Sequence, residues 1–313
     1  MAVVKQQQSN NLDFAKVSTW LIRCLLTFTI VAANTTTAQE PPLAGQQLAI
    51  APTHLPYKEK AKIAIIIDDI GYNRKAGEKA INLPGALTYA VIPFTPFGRS
   101  LGEQAHFSEK EVILHLPMES SVRDKLDDGG ITTQQSKYEV KDTLRDSLNK
   151  LPFVVGFNNH MGSLLTTDEK AMSWIMEEVS ATPLFFIDSM TNPQSIAYET
   201  ANEFGVPSLR RDIFLDADPH PVKIEKAFKR LVRIAKRMGS AIAIAHPYPN
   251  TLEFLEAKLP KLHQHGVVLV NVSELISGAP TSAAARQPIW TAQAILDHLV
   301  DLPSPASQRF AID

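Results

Sequence analysis

Seven short apolar runs, spaced along some two hundred residues and each followed by turn-forming or polar residues, constrain this chain more than any other feature. They occupy residues 63–67, 87–92, 112–116, 153–157, 184–187, 241–245 and 267–270. The runs are continuous rather than alternating, the pattern of parallel strands covered on both faces. Helical patterns lie between them: Ile224, Ala227, Phe228, Leu231 and Ile234 recur at helical spacing, Thr166 and Glu169 form a capping-box start, and Asn250 precedes Thr251 and Glu253 in the same way. Seven or so βα units in about 215 residues favour a closed or nearly closed (β/α) barrel over an open sheet with a separate second domain.

The flanks read differently. Lys16 and Arg23 precede a short apolar stretch at 24–33, and Thr36-Thr37-Ala38 offers the small residues of a cleavage site. A membrane-spanning helix needs roughly 20 apolar residues, so residues 1–38 are expected to be a signal peptide and the protein to reside in the periplasm or cell envelope. Residues 39–60, with Pro41, Pro42, Pro52 and Pro56, read as a linker, residues 61–276 as the folded domain, and the Ser-, Ala- and Pro-rich 277–313 as a C-terminal appendage. Cys24, the single cysteine, lies inside the signal, so the mature chain would work with carboxylates, imidazoles and hydroxyls. Cleavage removes Lys5, Lys16, Arg23 and Asp13 and leaves a net charge of about −4, which argues against nucleic acid as a partner.

Polar residues cluster where the runs end, the place where a barrel builds its site. Asp68 and Asp69 follow the first run and His115 sits in the third; Asn158, Asn159 and His160 follow the fourth, Asp188 the fifth, and His246 the sixth. An Asp-Asp pair alone is as well explained by a turn, and a lone histidine by a hydrogen-bonded core position. Several carboxylates and imidazoles on one rim repel or desolvate one another unless a cation or a proton-transfer role compensates. No G-x-S-x-G elbow, P-loop or G-x-G-x-x-G is present, Ser163 and Ser189 read as turn residues, and Asp216, Asp218 and His220 read as an N-terminal cap for the long helix.

Five segments, in order, carry a resemblance: Ile66-Ile67-Asp68-Asp69-Ile70-Gly71, Leu114-His115-Leu116-Pro117-Met118-Glu119, Asn158-Asn159-His160-Met161-Gly162-Ser163, Phe186-Ile187-Asp188-Ser189 and Ile244-Ala245-His246-Pro247. Residues 62 to about 276 resemble the NodB-like polysaccharide deacetylases, and more closely their divergent, YibQ-like branch. The resemblance implies a distorted barrel of about seven parallel strands, Asp68 as general base, Asp69 as metal ligand and His246 as general acid. Where the ordinary family has a second histidine four residues after the first, this chain has Glu119, which either replaces that ligand or is turned away by Pro117. His160 stands where the third motif departs, and could supply the missing imidazole.

Hydrolysis of an N-acetyl amide needs a cation at the carbonyl, a base and an acid, and this set supplies them. Asp69, His115 and His160 would hold a divalent metal, with zinc the best match and cobalt, manganese or nickel also suited to such ligands, while Asp188 would orient His246 or tune it. The expected substrate is an N-acetylated envelope polysaccharide such as peptidoglycan. Two alternatives stay open: a hydrolase of another amide or ester, and a non-catalytic module that binds glycan or an envelope protein through the same rim.

Overall fold

The computed structural model describes residues 60–122 and 125–276. The expected signal, nearly all of the linker and the appendage lie outside the described residues. No helix among the described residues is long and apolar enough to cross a membrane.

Among the described residues nine parallel strands form one sheet: β1 (Ala61–Ile70), β2 (Thr88–Val91), β3 (Glu111–Met118), β4 (Gly156–Met161), β5 (Phe185–Asp188), β6 (Ser208–Arg210), β7 (Ile213–Phe214), β8 (Ser240–Ala245) and β9 (Val267–Leu269). Their order is β6-β5-β4-β3-β2-β1-β8-β7, and β9 pairs with the start of β1. β8 covers one edge of β1 over Lys62–Ile67, so the other edge is shared end to end by β9 at Ala61–Ile63 and β2 from Ile66. The two outermost strands, β6 and β7, are separated by only Arg211 and Asp212. Three consecutive Cα steps span at most about 11 Å, so the sheet must curl until its ends nearly meet. The barrel is therefore bridged by the chain and not by a ladder, and the seven expected runs gain two strands too short to stand out as apolar segments.

Among the described residues seven α-helices accompany the strands: α1 (Arg74–Ile81), α2 (Gly98–Phe107), α3 (Lys137–Lys150), α4 (Glu169–Val179), α5 (Ala197–Glu203), α6 (Pro221–Met238) and α7 (Pro249–Lys258). α6 is the helix expected from its apolar spacing; it starts with Pro221 in its first turn, and Gly239 ends it at φ 92°. Two expected starts move. α4 is capped by Asp168, whose side chain accepts from Ala171 N, because Leu165–Thr167 form a separate 3-10 turn; α7 begins at Pro249, where the ring's fixed φ suits the first helical position.

Side chains divide by parity into two cores. Ile63, Ile65 and Ile67 of β1 face the helices together with Leu114, Phe157, Phe186 and Phe228. Ala64, Ile66, Ala90, Ile113, Phe185, Ile187, Ile242 and Ile244 fill the barrel interior, closed from below by Val272 and Ile276. A residue that continues the inner parity into or past the C-terminal part of a strand therefore points into the barrel mouth. Asp68, His115 and His246 do so.

Candidate metal centre and its acid-base flank

Asp68 and Asp69 are consecutive, and in a regular strand their carboxylates would face opposite sides of the sheet. Asp69 instead has φ 57°, and the β1–β2 register shifts between Ile67 and Ile70, so a local irregularity turns both carboxylates toward one cluster. Gly71 completes the turn at φ 140°, where an added Cβ would lie 1.9 Å from Thr95 Oγ1.

Three donor atoms meet there. His115 Nε2 lies 3.2 Å from Asp69 Oδ1, His160 Nδ1 lies 3.0 Å from the same oxygen, and the two nitrogens are 3.1 Å apart. Tetrahedral ligands about 2.0–2.1 Å from a zinc ion sit ~3.3 Å from one another, so the triangle fits one small cation. Asp69 Oδ1 is buried without a hydrogen-bond partner among the described residues, as expected of an oxygen whose proper partner is an ion. Two nitrogens and one carboxylate form a donor set that suits a borderline-soft divalent metal.

The next contacts set the roles of the ring nitrogens. Asn158 Nδ2 donates to Asp68 Oδ1 at 2.9 Å, since a carboxylate only accepts. That leaves Asn158 Oδ1 to accept from His115 Nδ1 at 2.7 Å, so the His115 Nε2 lone pair faces the cluster. Burial opposes charge on Asp69, yet the His115 and His160 imidazoles beside it outweigh burial and hold the carboxyl well below the usual range. Asp68 is almost wholly buried, and burial pushes its carboxyl up against the pull of His115 and His246.

His246 stands on the other flank. Its Nδ1 is 2.9 Å from Asp216 Oδ1, while Asp216 Oδ2 accepts from His246 N at 2.7 Å and from Thr251 Oγ1 at 2.8 Å. The ring lies between Phe214 and Tyr248, at centroid distances of 6.1 and 5.3 Å. Burial would lower the imidazole's pKa, but the Asp216 hydrogen bond and charge prevail and raise it to about 9. The Nε2 edge is thereby left as a proton donor.

Two expectations require correction. Asp188 does not orient His246: it is in phase with Phe186 on the helix-facing side, and its carboxylate accepts from Met190 N and Ser195 Oγ, both at 2.8 Å. The carboxylate on His246 is Asp216 and not a helix cap as expected from its place before α6; the cap of α6 is His220, whose Nδ1 accepts from Val222 N. Asp216 continues the inner parity of Phe214, a signal hidden by the brevity of β7. Glu119 is likewise outside the triad, because its Oε2 accepts from Thr133 N and Oγ1 at 2.7 and 2.8 Å. Of the two readings left open for Glu119, the geometry favours the one in which it is turned away. Ser163 lies in a turn, bonded to Ser120 and Ser121, and Ser189, directly after β5, donates to the Asn159 carbonyl.

The family model for divergent polysaccharide deacetylases matches residues 65–276. An uncharacterized protein of Haemophilus influenzae is 36% identical over 216 residues, covering 69% of this chain and 77% of its own length. The uncharacterized protein YibQ of Escherichia coli K12 is 34% identical over 216 residues, 69% of this chain and 67% of that one. Among solved structures, an uncharacterized protein of Agrobacterium tumefaciens C58 superposes with a TM-score of 0.66 at 22% identity, over 70% of this chain and 90% of its own, a likeness of fold. The match over most of the barrel, together with relatives above 30% identity, shows that the chain belongs to the divergent polysaccharide deacetylase family.

Proposed function

We propose that this protein is an exported, metal-dependent hydrolase that removes N-acetyl groups from an envelope polysaccharide such as peptidoglycan. The observation that carries the reading is the Asp69–His115–His160 triangle with a buried carboxylate, Asp68, on one flank and a protonated imidazole, His246, on the other. When bound, a divalent metal, with zinc the best match to this donor set, supplies Lewis acidity at the acetyl carbonyl and acidifies a water. Asp68, held by Asn158, takes the proton from the attacking water. His246, held by Asp216, delivers a proton from Nε2 to the leaving amine. The C–N bond of the amide breaks, acetate leaves, and the polymer keeps a free amine. Export is supported by the basic residues and short apolar run before Thr36-x-Ala38, and N-terminal sequencing of the envelope form should begin near Gln39.

Metal analysis and an acetate-release assay on peptidoglycan and chitin oligomers test the reading together. Asp69→Ala and His115→Ala are expected to lose stoichiometric metal while remaining folded. Asp68→Asn and His246→Ala are expected to keep it and lose about 10²- to 10⁴-fold in turnover. A wild-type protein that binds zinc and glycan but frees no acetate would overturn the enzyme and leave a glycan-binding module on a deacetylase barrel.

A further inference from the structure

His160 presents only one of its nitrogens to the triad. Nδ1 faces Asp69 and His115, while Nε2 points away from them and lies 3.2 Å from Asp127 Oδ2. Asp127 stands in the loop between β3 and α3, a segment that neither the sequence motifs nor the acid-base flank involves. His160 Nε2 and Asp127 Oδ2 are both buried, are in ion-pair contact without hydrogen-bond alignment, and have no other hydrogen-bond partner among the described residues. The Tyr72 phenol, just beyond Gly71, lies beside Asp127, whose charge adds to burial in pushing its pKa up.

We propose that Asp127 is a positioning residue for the metal: it holds the proton of His160 on Nε2 and so keeps the Nδ1 lone pair free as a ligand. The inference rests on the reading of Asp69, His115 and His160 as metal ligands. A neutral imidazole carries one N–H, and if that proton sits on Nδ1 the lone pair lies on Nε2, aimed at Asp127 and away from the cation. His115 has the same problem, and Asn158 Oδ1 solves it at the opposite nitrogen. Each imidazole of the triad thus has an acceptor on its far side, one amide and one carboxylate. Asp127 is not itself a ligand, because the ring of His160 stands between its carboxylate and the triad.

The base of this loop is fixed in a way that explains Glu119. Glu119 N donates to Ile131 O, Ile131 N donates to Pro117 O, both at 2.9 Å, and the Glu119 carboxylate takes both donors of Thr133. Gly129, at φ 76°, lets Phe94 pack against the loop where a Cβ would come within 2.3 Å of the ring. The residue at the family's second-histidine position therefore anchors the segment that delivers Asp127 to the back of His160.

Zinc affinity by chelator competition on wild type, D127N, D127A and Y72F, together with ¹⁵N imidazole spectra of the zinc-loaded protein, tests this without turnover. D127A is expected to bind zinc about 10–100-fold more weakly at an unchanged melting temperature. D127N, whose amide oxygen still accepts an N–H, should fall between D127A and wild type, and Y72F should lose less than D127A. The spectra should show His160 protonated at Nε2 and metal-bound through Nδ1. Wild-type zinc affinity in D127A, or metal on His160 Nε2, overturns the role of Asp127 alone, and the spectrum of wild type decides even if D127A fails to fold. A wild-type protein that takes up no zinc overturns the metal centre as well.

Discussion

At the scale of residues, the Asp216–His246 pair converts a buried imidazole, which would otherwise favour its neutral form, into one that stays charged up to about pH 9. With His246 as the proposed general acid, which must carry its proton, the alkaline limb of kcat/KM for the proposed acetate release should lie near pH 9. In Asp216→Asn the carboxylate charge is gone while burial remains, so the limb should move to lower pH; in Asp188→Asn it should stay in place. A pH–rate profile of D216N that superposes on wild type would detach His246 from Asp216. The same coupling has a sign in stability: the folded pKa is raised, so its contribution is whole below the unfolded histidine value of about 6.5 and is lost as pH rises through about 9. Asp68, Asp69, His115, His160 and His246 were legible in the sequence as polar residues at or just after apolar runs. Their partners were not, since Asn158, Asp127 and Asp216 gain their meaning only from contacts across 30 to 90 residues.

At the scale of elements, the helices hold the outer face of the barrel in ordinary ways that denaturation can measure. α6 buries Ile224, Phe228, Leu231 and Ala235 against the sheet, and its charged face turns outward. Phe228→Ala should cost about 3–5 kcal/mol in urea unfolding, because the ring is wholly buried against Phe254 and His265 and would leave a cavity. α3 starts with a complete capping box, Ser136 with Glu139, so Ser136→Ala should cost only about 1 kcal/mol. Equal losses from these two substitutions would contradict this division between core and cap. The helix in 221–238 was legible because eighteen residues give the 3.6-residue period room to show. β6 and β7, at three and two residues, carry no period, and with them the phase of Asp216 stayed hidden.

At the scale of the whole molecule, the barrel is closed below by its own C-terminal turn. Val272 and Ile276 enter the inner core, and Glu111 at the foot of β3 accepts from Thr88 Oγ1 at 2.8 Å, from Ser273 Oγ and from Ser273 N. Glu111→Ala leaves two buried hydroxyls and one backbone N–H without that acceptor, and should destabilise by about 1–3 kcal/mol for each group that finds no other. A chain ending at Val270 should lose more, because it opens the barrel floor to water; calorimetry that finds its melting temperature at the level of wild type would show that the turn is dispensable.

The sequence by itself determined the class of fold, since short continuous apolar runs alternating with helical patterns fit parallel strands buried on both faces. It also placed most of the reactive side chains, because in a parallel barrel everything after a strand shares one rim. Tertiary structure decided which of those side chains work together. Parity turned Asp188 outward to Ser195, the left-handed backbone of Asp69 brought two adjacent carboxylates to one cluster, and the two-residue link between β6 and β7 set Asp216 beside His246. These outcomes rest on orientation and on contacts between strands distant in sequence, and neither the type nor the spacing of a residue records them.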